Sequence, residues 1–229
     1  MADPDCSSTF AFVDLAGFTA VTEAHGDREA VAILRAFRQR VREVLQPGDE
    51  LVKTIGDAVM LRFPDTTRAV VALQSLLQRE IATAEAVLMP RAGAHHGNAV
   101  AVEGDYYGAA VNLASRVTGL AAPGQLLVTG DVAVAAQQLG AVITHLGTPP
   151  LRNVSEPVDL WEVRVADTTD TAIDLVCHMR VSTADVNAIT LVWNGRRHHF
   201  CGLPCVARFA ATPSTYTIAQ GRMIDRIAT

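Results

Sequence analysis

Two aspartates and one helix face carry the clearest chemistry in this chain. Phe12-Val-Asp-Leu-Ala-Gly-Phe-Thr19 and Lys53-Thr-Ile-Gly-Asp-Ala-Val-Met60 are short apolar strands, each delivering one carboxylate, Asp14 or Asp57, to its end. Gly17 permits a tight turn after the first, and a long helical pattern follows at once. The backbone N–H groups of Phe18 and Thr19 are then free to face an anion. Two carboxylates beside an anion-binding turn make a seat for Mg²⁺ and a polyphosphate, because Mg²⁺ binds through one or two carboxylates plus substrate phosphates. Asn112 and Arg116 stand four apart in Gly108-Ala-Ala-Val-Asn-Leu-Ala-Ser-Arg-Val117 and share a helix face. An amide beside a planar guanidinium fork suits a sugar oxygen and a phosphate. Taken singly, each motif also has a plainer reading, as strand-end aspartates in turns or a solvated helix face.

The elements that must position these groups follow from periodicity. From Asp27 to Leu45, Val31, Leu34, Phe37, Val41 and Val44 recur at helical spacing, and Gln46-Pro-Gly48 ends the helix. Leu51 to Ile55 and Ala58 to Phe63 read as a hairpin turning at Gly56-Asp57. Asp65 is placed to cap a second helix carrying Val70, Leu73, Leu77 and Ile81. Arg91-Ala-Gly-Ala-His-His-Gly97 to Val102 reads as a strand pair with a glycine break, His95 and His96 being structural. A third helix runs from near Gly108 to before Ala122-Pro-Gly124, its apolar face made by Val111, Ala114, Val117 and Leu120. Short strands near 126–128, 142–146 and 158–165 complete the pattern. The sum is an α+β sandwich, with helices packed on a mostly antiparallel sheet.

Composition limits the partners. In 229 residues, 49% hydrophobic and 19% charged content indicates a packed globular chain. A net charge of −5 gives no sign of nucleic-acid or anionic-membrane binding. The first residues lack the basic and apolar regions of a signal peptide, and no apolar run approaches the roughly 18 residues of a membrane helix. A soluble cytoplasmic protein is the expectation.

FVDLAGFT, KTIGDAV, RAGAHHG and GAAVNLASRV together, in that order and spacing, resemble the catalytic domain of class III adenylate and guanylate cyclases over about Ser8 to Val163. The resemblance implies a ferredoxin-like cyclase sandwich that works as a head-to-tail homodimer with two shared active sites. By the same resemblance, Asp14, Asp57 and the Leu15 carbonyl hold two Mg²⁺ or Mn²⁺ ions. Asn112 orients the ribose and Arg116 stabilises the reacting phosphate. Lys53 and Asp105 read the purine, and Arg152, where the family usually has lysine, meets the terminal phosphates. Hydrogen-bond polarity then favours ATP: Lys53 only donates, as adenine N1 requires, and ionised Asp105 only accepts, as the 6-amino group requires. Guanine would meet a like group at both edges. A guanylate cyclase and a catalytically silent nucleotide- or metal-sensing module are the alternatives. A GGDEF-type cyclase, suggested by Ile55-Gly-Asp57, lacks its core motif.

The end of the chain has another character. After a lead at 1–7 and a catalytic segment at 8–165, the polar run 166–171 reads as a linker and 172–229 as a separate small domain and tail. Asn194-Gly195 between Ile189 to Trp193 and Arg196 to Phe200 is a strong hairpin signal. Cys177, Cys201 and Cys205, with the surrounding sequence, resemble a YHS domain, a small metal-associated module. The three thiolates suit Zn²⁺ or Cu⁺, with His178, His198 or His199 as a fourth ligand. Alternatively, they are small hydrophobes packed without metal.

Overall fold

The computed structural model describes residues 5–82, 87–154, 156–165, 171–184 and 189–216. The linker expected at 166–171 lies outside them, apart from Thr171. The chain divides into two compact units, one of Met1–Leu15, Phe37–Thr83 and Pro90–Ala166, the other of Ala16–Ala36, Ala84–Met89 and Asp167–Thr229.

In the first unit the central strand is β1 (Asp5–Leu15), whose Phe10, Ala11, Phe12 and Val13 are all buried. Such a continuous apolar run is what a strand covered on both faces requires. The hairpin of β2 (Glu50–Ile55) and β3 (Ala58–Phe63) forms as its sequence predicts, and β3 pairs antiparallel with β1. After α3 (Thr66–Ala82), β4 (Pro90–Val102) pairs with the other side of β1. The order β2-β3-β1-β4 is that of a split βαβ arrangement. Asp65 caps α3, its Oδ1 accepting the Arg68 N–H at 2.8 Å. The buried Glu80 of α3 meets Arg40 through two hydrogen bonds of 2.5 and 3.0 Å.

Beyond β4 come β5 (Asp105–Tyr107), α4 (Ala109–Leu120), β6 (Leu126–Thr129), α5 (Gly130–Gln138), β7 (Ile143–Gly147) and β8 (Leu160–Val163). They extend the sheet to the order β2-β3-β1-β4-β6-β8-β7, with β5 on β4. Every pairing is antiparallel except β4 with β6. The α+β sandwich is therefore present.

Three local expectations change. The 91–102 segment is one unbroken strand; the turn comes at Glu103-Gly104, both at positive φ, and the partner is β5. The helix α5 has no counterpart in the expected pattern. The long helical stretch after Gly17 is two helices, α1 (Phe18–His25) and α2 (Asp27–Val44), parted at Gly26. On α2 the buried positions are Ala30, Ile33, Phe37, Val41 and Val44, while Val31 is 43% exposed.

The second unit holds α1 and the paired strands β9 (Thr171–Ile173) with β10 (Arg180–Ser182) and β11 (Ile189–Trp193) with β12 (Arg196–Phe200), followed by α6 (Leu203–Ala211). The hairpin turns at Asn194-Gly195, as its sequence predicts. Buried Phe209 of α6 gathers Trp193, His198, Phe200 and Tyr216 around it, with ring centroids 5.1–6.1 Å away. Among the described residues no helix is long and apolar enough to cross a membrane.

Candidate active site

Strand register places the carboxylates. Asp14 lies near the end of β1, opposite Ala58 on one neighbour and Arg91 on the other. Asp57 sits in the β2–β3 turn immediately before Ala58, so the two acidic groups meet at one end of these strands. Arg91 donates to Asp14 Oδ2 from Nε at 2.9 Å and from Nη2 at 2.6 Å. Burial raises the pKa of Asp57 most, and the charge of Asp14 adds to it, while Arg91 acts in the opposite sense. Crowded, partly buried carboxylates with one guanidinium nearby form a hard oxygen donor set that gains from a divalent cation.

A second pair stands nearby in the sheet. Lys53, on β2, is opposite Met60, which in turn is opposite Phe12. Its Nζ donates to Asp105 Oδ2 at 2.5 Å, and the Tyr106 N–H donates to Asp105 Oδ1 at 2.8 Å. The Lys53 hydrogen bond holds the Asp105 carboxyl below its ordinary range. The hydroxyl of Tyr107 is pushed up, chiefly by its hydrogen bond with Asp105, and Lys53 Nζ stands 5.7 Å from the Tyr107 ring centroid.

The helix α4 lies on the face of the sheet that carries Phe10, Phe12 and Met60, burying Ala110, Val111 and Ala114 among them. A side chain at Gly93 would put its Cβ 2.3 Å from the Thr118 backbone nitrogen, so only glycine lets α4 approach β4 so closely. Thr118 Oγ1 donates to Ala114 O at 2.9 Å, within the helix. Asn112 and Arg116 share the opposite, exposed face of α4. Arg152 is exposed in a turn where Asn153 has φ 59. Leu15 is buried at the end of β1.

The structure thus brings Asp14 to Asp57 and Lys53 to Asp105, and it sets Asn112 and Arg116 side by side facing outward. His95 Nδ1 is 2.6 Å from Thr129 Oγ1, and His96 hydrogen-bonds Ser7 and Thr9 at 3.1 and 3.0 Å. Both histidines serve the sheet. Arg91 is a residue that motif reading missed; its signal is its place opposite Asp14, which only strand register reveals.

In the second unit, Phe18 and Thr19 open α1 directly after Gly17, whose φ of 87 is left-handed. There, Cys177 Sγ is 3.4 Å and Cys205 Sγ 3.6 Å from Cys201 Sγ. The histidine that joins them is His25, its Nε2 3.5 Å from Cys201 Sγ. None of the three histidines expected as a fourth ligand belongs to this group. His178, at φ 61, lies against Gly17, and the His198 ring packs on Phe209. His199 follows on the opposite side of the same strand.

The family model of the adenylate and guanylate cyclase catalytic domain matches residues 3–158. A pH-sensitive adenylate cyclase of Mycobacterium tuberculosis is 36% identical over 160 residues, covering 68% of this chain and 40% of that protein. An uncharacterized protein of the same species is 41% identical over 122 residues, covering 53% of this chain and 32% of that one. The chain therefore spans about a third to two fifths of the length of these curated relatives. Among solved structures, adenylate cyclases of Trypanosoma brucei in their monomeric state share the fold, with a TM-score of 0.65 at 24% identity over 74% of this chain and 93% of that one.

Proposed function

Because the chain belongs to the adenylate and guanylate cyclase catalytic domain family, we propose that it is an adenylate cyclase, converting ATP to 3′,5′-cyclic AMP and pyrophosphate. The observation that carries the choice of nucleotide is the Lys53–Asp105 contact of 2.5 Å. It holds a pure donor beside a pure acceptor, the complement of the adenine edge. Guanine would leave like groups facing one another, at a cost of about 1–3 kcal/mol for each unpaired buried group.

The donor set at these strand ends fits the metal requirement of this chemistry, since the single charge of Arg91 offsets only part of that of two crowded carboxylates. Mg²⁺ or Mn²⁺ held there by Asp14, Asp57 and the Leu15 carbonyl would neutralise phosphate oxygens and lower the pKa of the ribose 3′-hydroxyl. In the reaction the 3′-oxygen forms a bond to the α-phosphorus in line with the breaking bond to the β-phosphate. Pyrophosphate leaves and the hydroxyl proton passes to solvent. Asn112 orients the ribose, and Arg116 sets fixed positive charge where negative charge develops on the phosphate. Arg152 and the backbone N–H groups of Phe18 and Thr19 at the start of α1 serve the polyphosphate. The outward face of α4 supports a site completed by a second copy of the chain, one copy giving the aspartates and the base-reading partner giving Asn112 and Arg116 from α4. Every residue with a role lies within 8–165, and 172–229 is an appended regulatory segment.

The test is the purified chain with Mn²⁺ and ATP or GTP, with products separated by chromatography. Cyclic AMP with equimolar pyrophosphate is the expected result. Cyclic GMP in preference would make the chain a guanylate cyclase, and no product from either nucleotide would make it a binding module.

A further inference from the structure

Cys177, Cys201, Cys205 and His25 form a group outside the residues assigned to nucleotide chemistry. Buried cysteines that act as small hydrophobes pack against apolar side chains. Here three sulfurs and a ring nitrogen turn toward one another, with one ligand atom from each residue and all four atoms within 4.8 Å. The three cysteines are free thiols, and the Cys177–Cys201 separation of 3.4 Å is well beyond the roughly 2.05 Å of a disulfide. Tetrahedral Zn²⁺, with bonds of about 2.3 Å to sulfur and 2.0–2.1 Å to nitrogen, sets its ligands roughly 3.8 Å apart for sulfur to sulfur and roughly 3.5 Å for sulfur to nitrogen. The separations from Cys201, 3.4 and 3.6 Å to sulfur and 3.5 Å to the His25 nitrogen, follow that pattern.

We propose that His25, Cys177, Cys201 and Cys205 bind one Zn²⁺ in a closed Cys₃His site that staples α1 to the C-terminal segment. Four protein ligands leave no position for a substrate, so the site is structural. Soft thiolates also separate this ion from the hard oxygen ligands of Asp14 and Asp57.

The surroundings hold the ligands in place without the ion. Asp174 is fully buried, and its Oδ1 accepts the Val176 N–H at 2.8 Å and the Cys177 N–H at 3.4 Å, while Oδ2 accepts the Cys201 N–H at 2.8 Å. One carboxylate thus ties together the two segments that carry the sulfurs. Cys205 lies in the first turn of α6, four residues after Cys201. Arg208 of α6 donates to the Glu23 carbonyl of α1 at 3.1 Å, two residues before His25. The histidine belongs to the stretch matched by the family model, and the cysteines lie beyond it. The site therefore makes the segments carrying Cys177, Cys201 and Cys205 one structural piece with the helix after the Asp14 strand, and it stands whether or not the nucleotide assignment does.

The experiment uses the full chain, freed of metal under reducing conditions and titrated with Zn²⁺ and, separately, Co²⁺. One equivalent is expected to bind, with tetrahedral Co²⁺ bands in the visible and thiolate charge transfer in the near ultraviolet. X-ray absorption of the zinc form, which needs no variant, should show three sulfur neighbours and one nitrogen. His25→Ala should keep the thiolates, shift the Co²⁺ bands, and weaken Zn²⁺ by at least the roughly 10–100-fold that loss of a supporting group costs. His199→Ala should leave both readouts unchanged. A scattering shell without nitrogen, an unaltered His25→Ala spectrum and affinity, or failure to hold stoichiometric Zn²⁺ would each overturn the assignment.

Discussion

Lys53 and Asp105 are half-exposed, and an ion pair so placed adds at most about 1 kcal/mol to stability. Under the proposed function, their pairing serves recognition of the base. Lys53→Glu with Asp105→Cys reverses hydrogen-bond polarity at both edges, so the ratio of ATP to GTP turnover should fall roughly tenfold or more, as one or two mismatched hydrogen bonds predict. An unchanged ratio in kcat/KM would assign base choice to other residues. His95 makes a different prediction. Burial, and then the charge of His96, lower its pKa from the ordinary 6.5. The unfolded chain therefore takes up this proton at higher pH than the folded one. His95 costs no stability above about pH 6.5 and costs progressively more as pH falls below it, down to its folded pKa. His95→Gln, which can still hydrogen-bond Thr129, should flatten the decline in unfolding free energy between about pH 7 and pH 5. His178 and His198 are shifted downward by burial too, so part of the slope should stay. At this scale the sequence revealed the residues whose partners lie in short motifs. Arg91 and His25 escaped it because their partners are set by strand register and by chain contacts remote in sequence.

At the scale of elements, the close seat of α4 on β4 depends on one absent side chain. Gly93→Ala would press a methyl group against the Thr118 backbone, which cannot rotate away. The helix must lift, carrying Asn112 and Arg116 with it. A loss of about 1–3 kcal/mol in urea unfolding is expected, together with a fall in kcat for cyclisation. Normal stability and turnover in this variant would show that α4 can shift without harm. The elements read correctly were those with local punctuation, such as Asp65 at the start of α3 and Asn194-Gly195 in the β11–β12 hairpin. The errors lie where tertiary packing decides. The face of α2 is phased by Ala30 and Ile33, two positions whose side chains look no more apolar than Val31 and Leu34. The helix α5 buries Val132, Ala133, Ala135 and Ala136 but leaves Val134 exposed, too weak a stripe over nine residues to announce itself. At 91–102 the glycines serve the approach of α4, and reading them as a strand break mistook their purpose.

At the scale of the whole molecule, the polar run at 166–171 reads as a linker, and the second compact unit gathers 16–36 and 84–89 with 167–229, a grouping that no linear pattern expresses. Assembly makes the last prediction. If Asp14 and Asp57 of one copy work with Asn112 and Arg116 of another, each site is built from two halves, and a two-fold dimer has two such sites. Asp57→Ala should abolish metal-dependent turnover. Arg116→Ala should lower kcat by roughly 10²–10³, the usual cost of removing one group that stabilises transition-state charge. Each variant is nearly inactive alone, but a mixed dimer pairs the intact aspartates of one chain with the intact α4 of the other. It therefore has one whole site and one doubly damaged site. With free exchange of subunits at equal concentrations, half the dimers are mixed, so activity should return to about a quarter of the wild-type value. Exchange is followed independently by energy transfer between differently labelled chains. Activity that stays at the level of the single variants after exchange is complete would place the whole site within one chain.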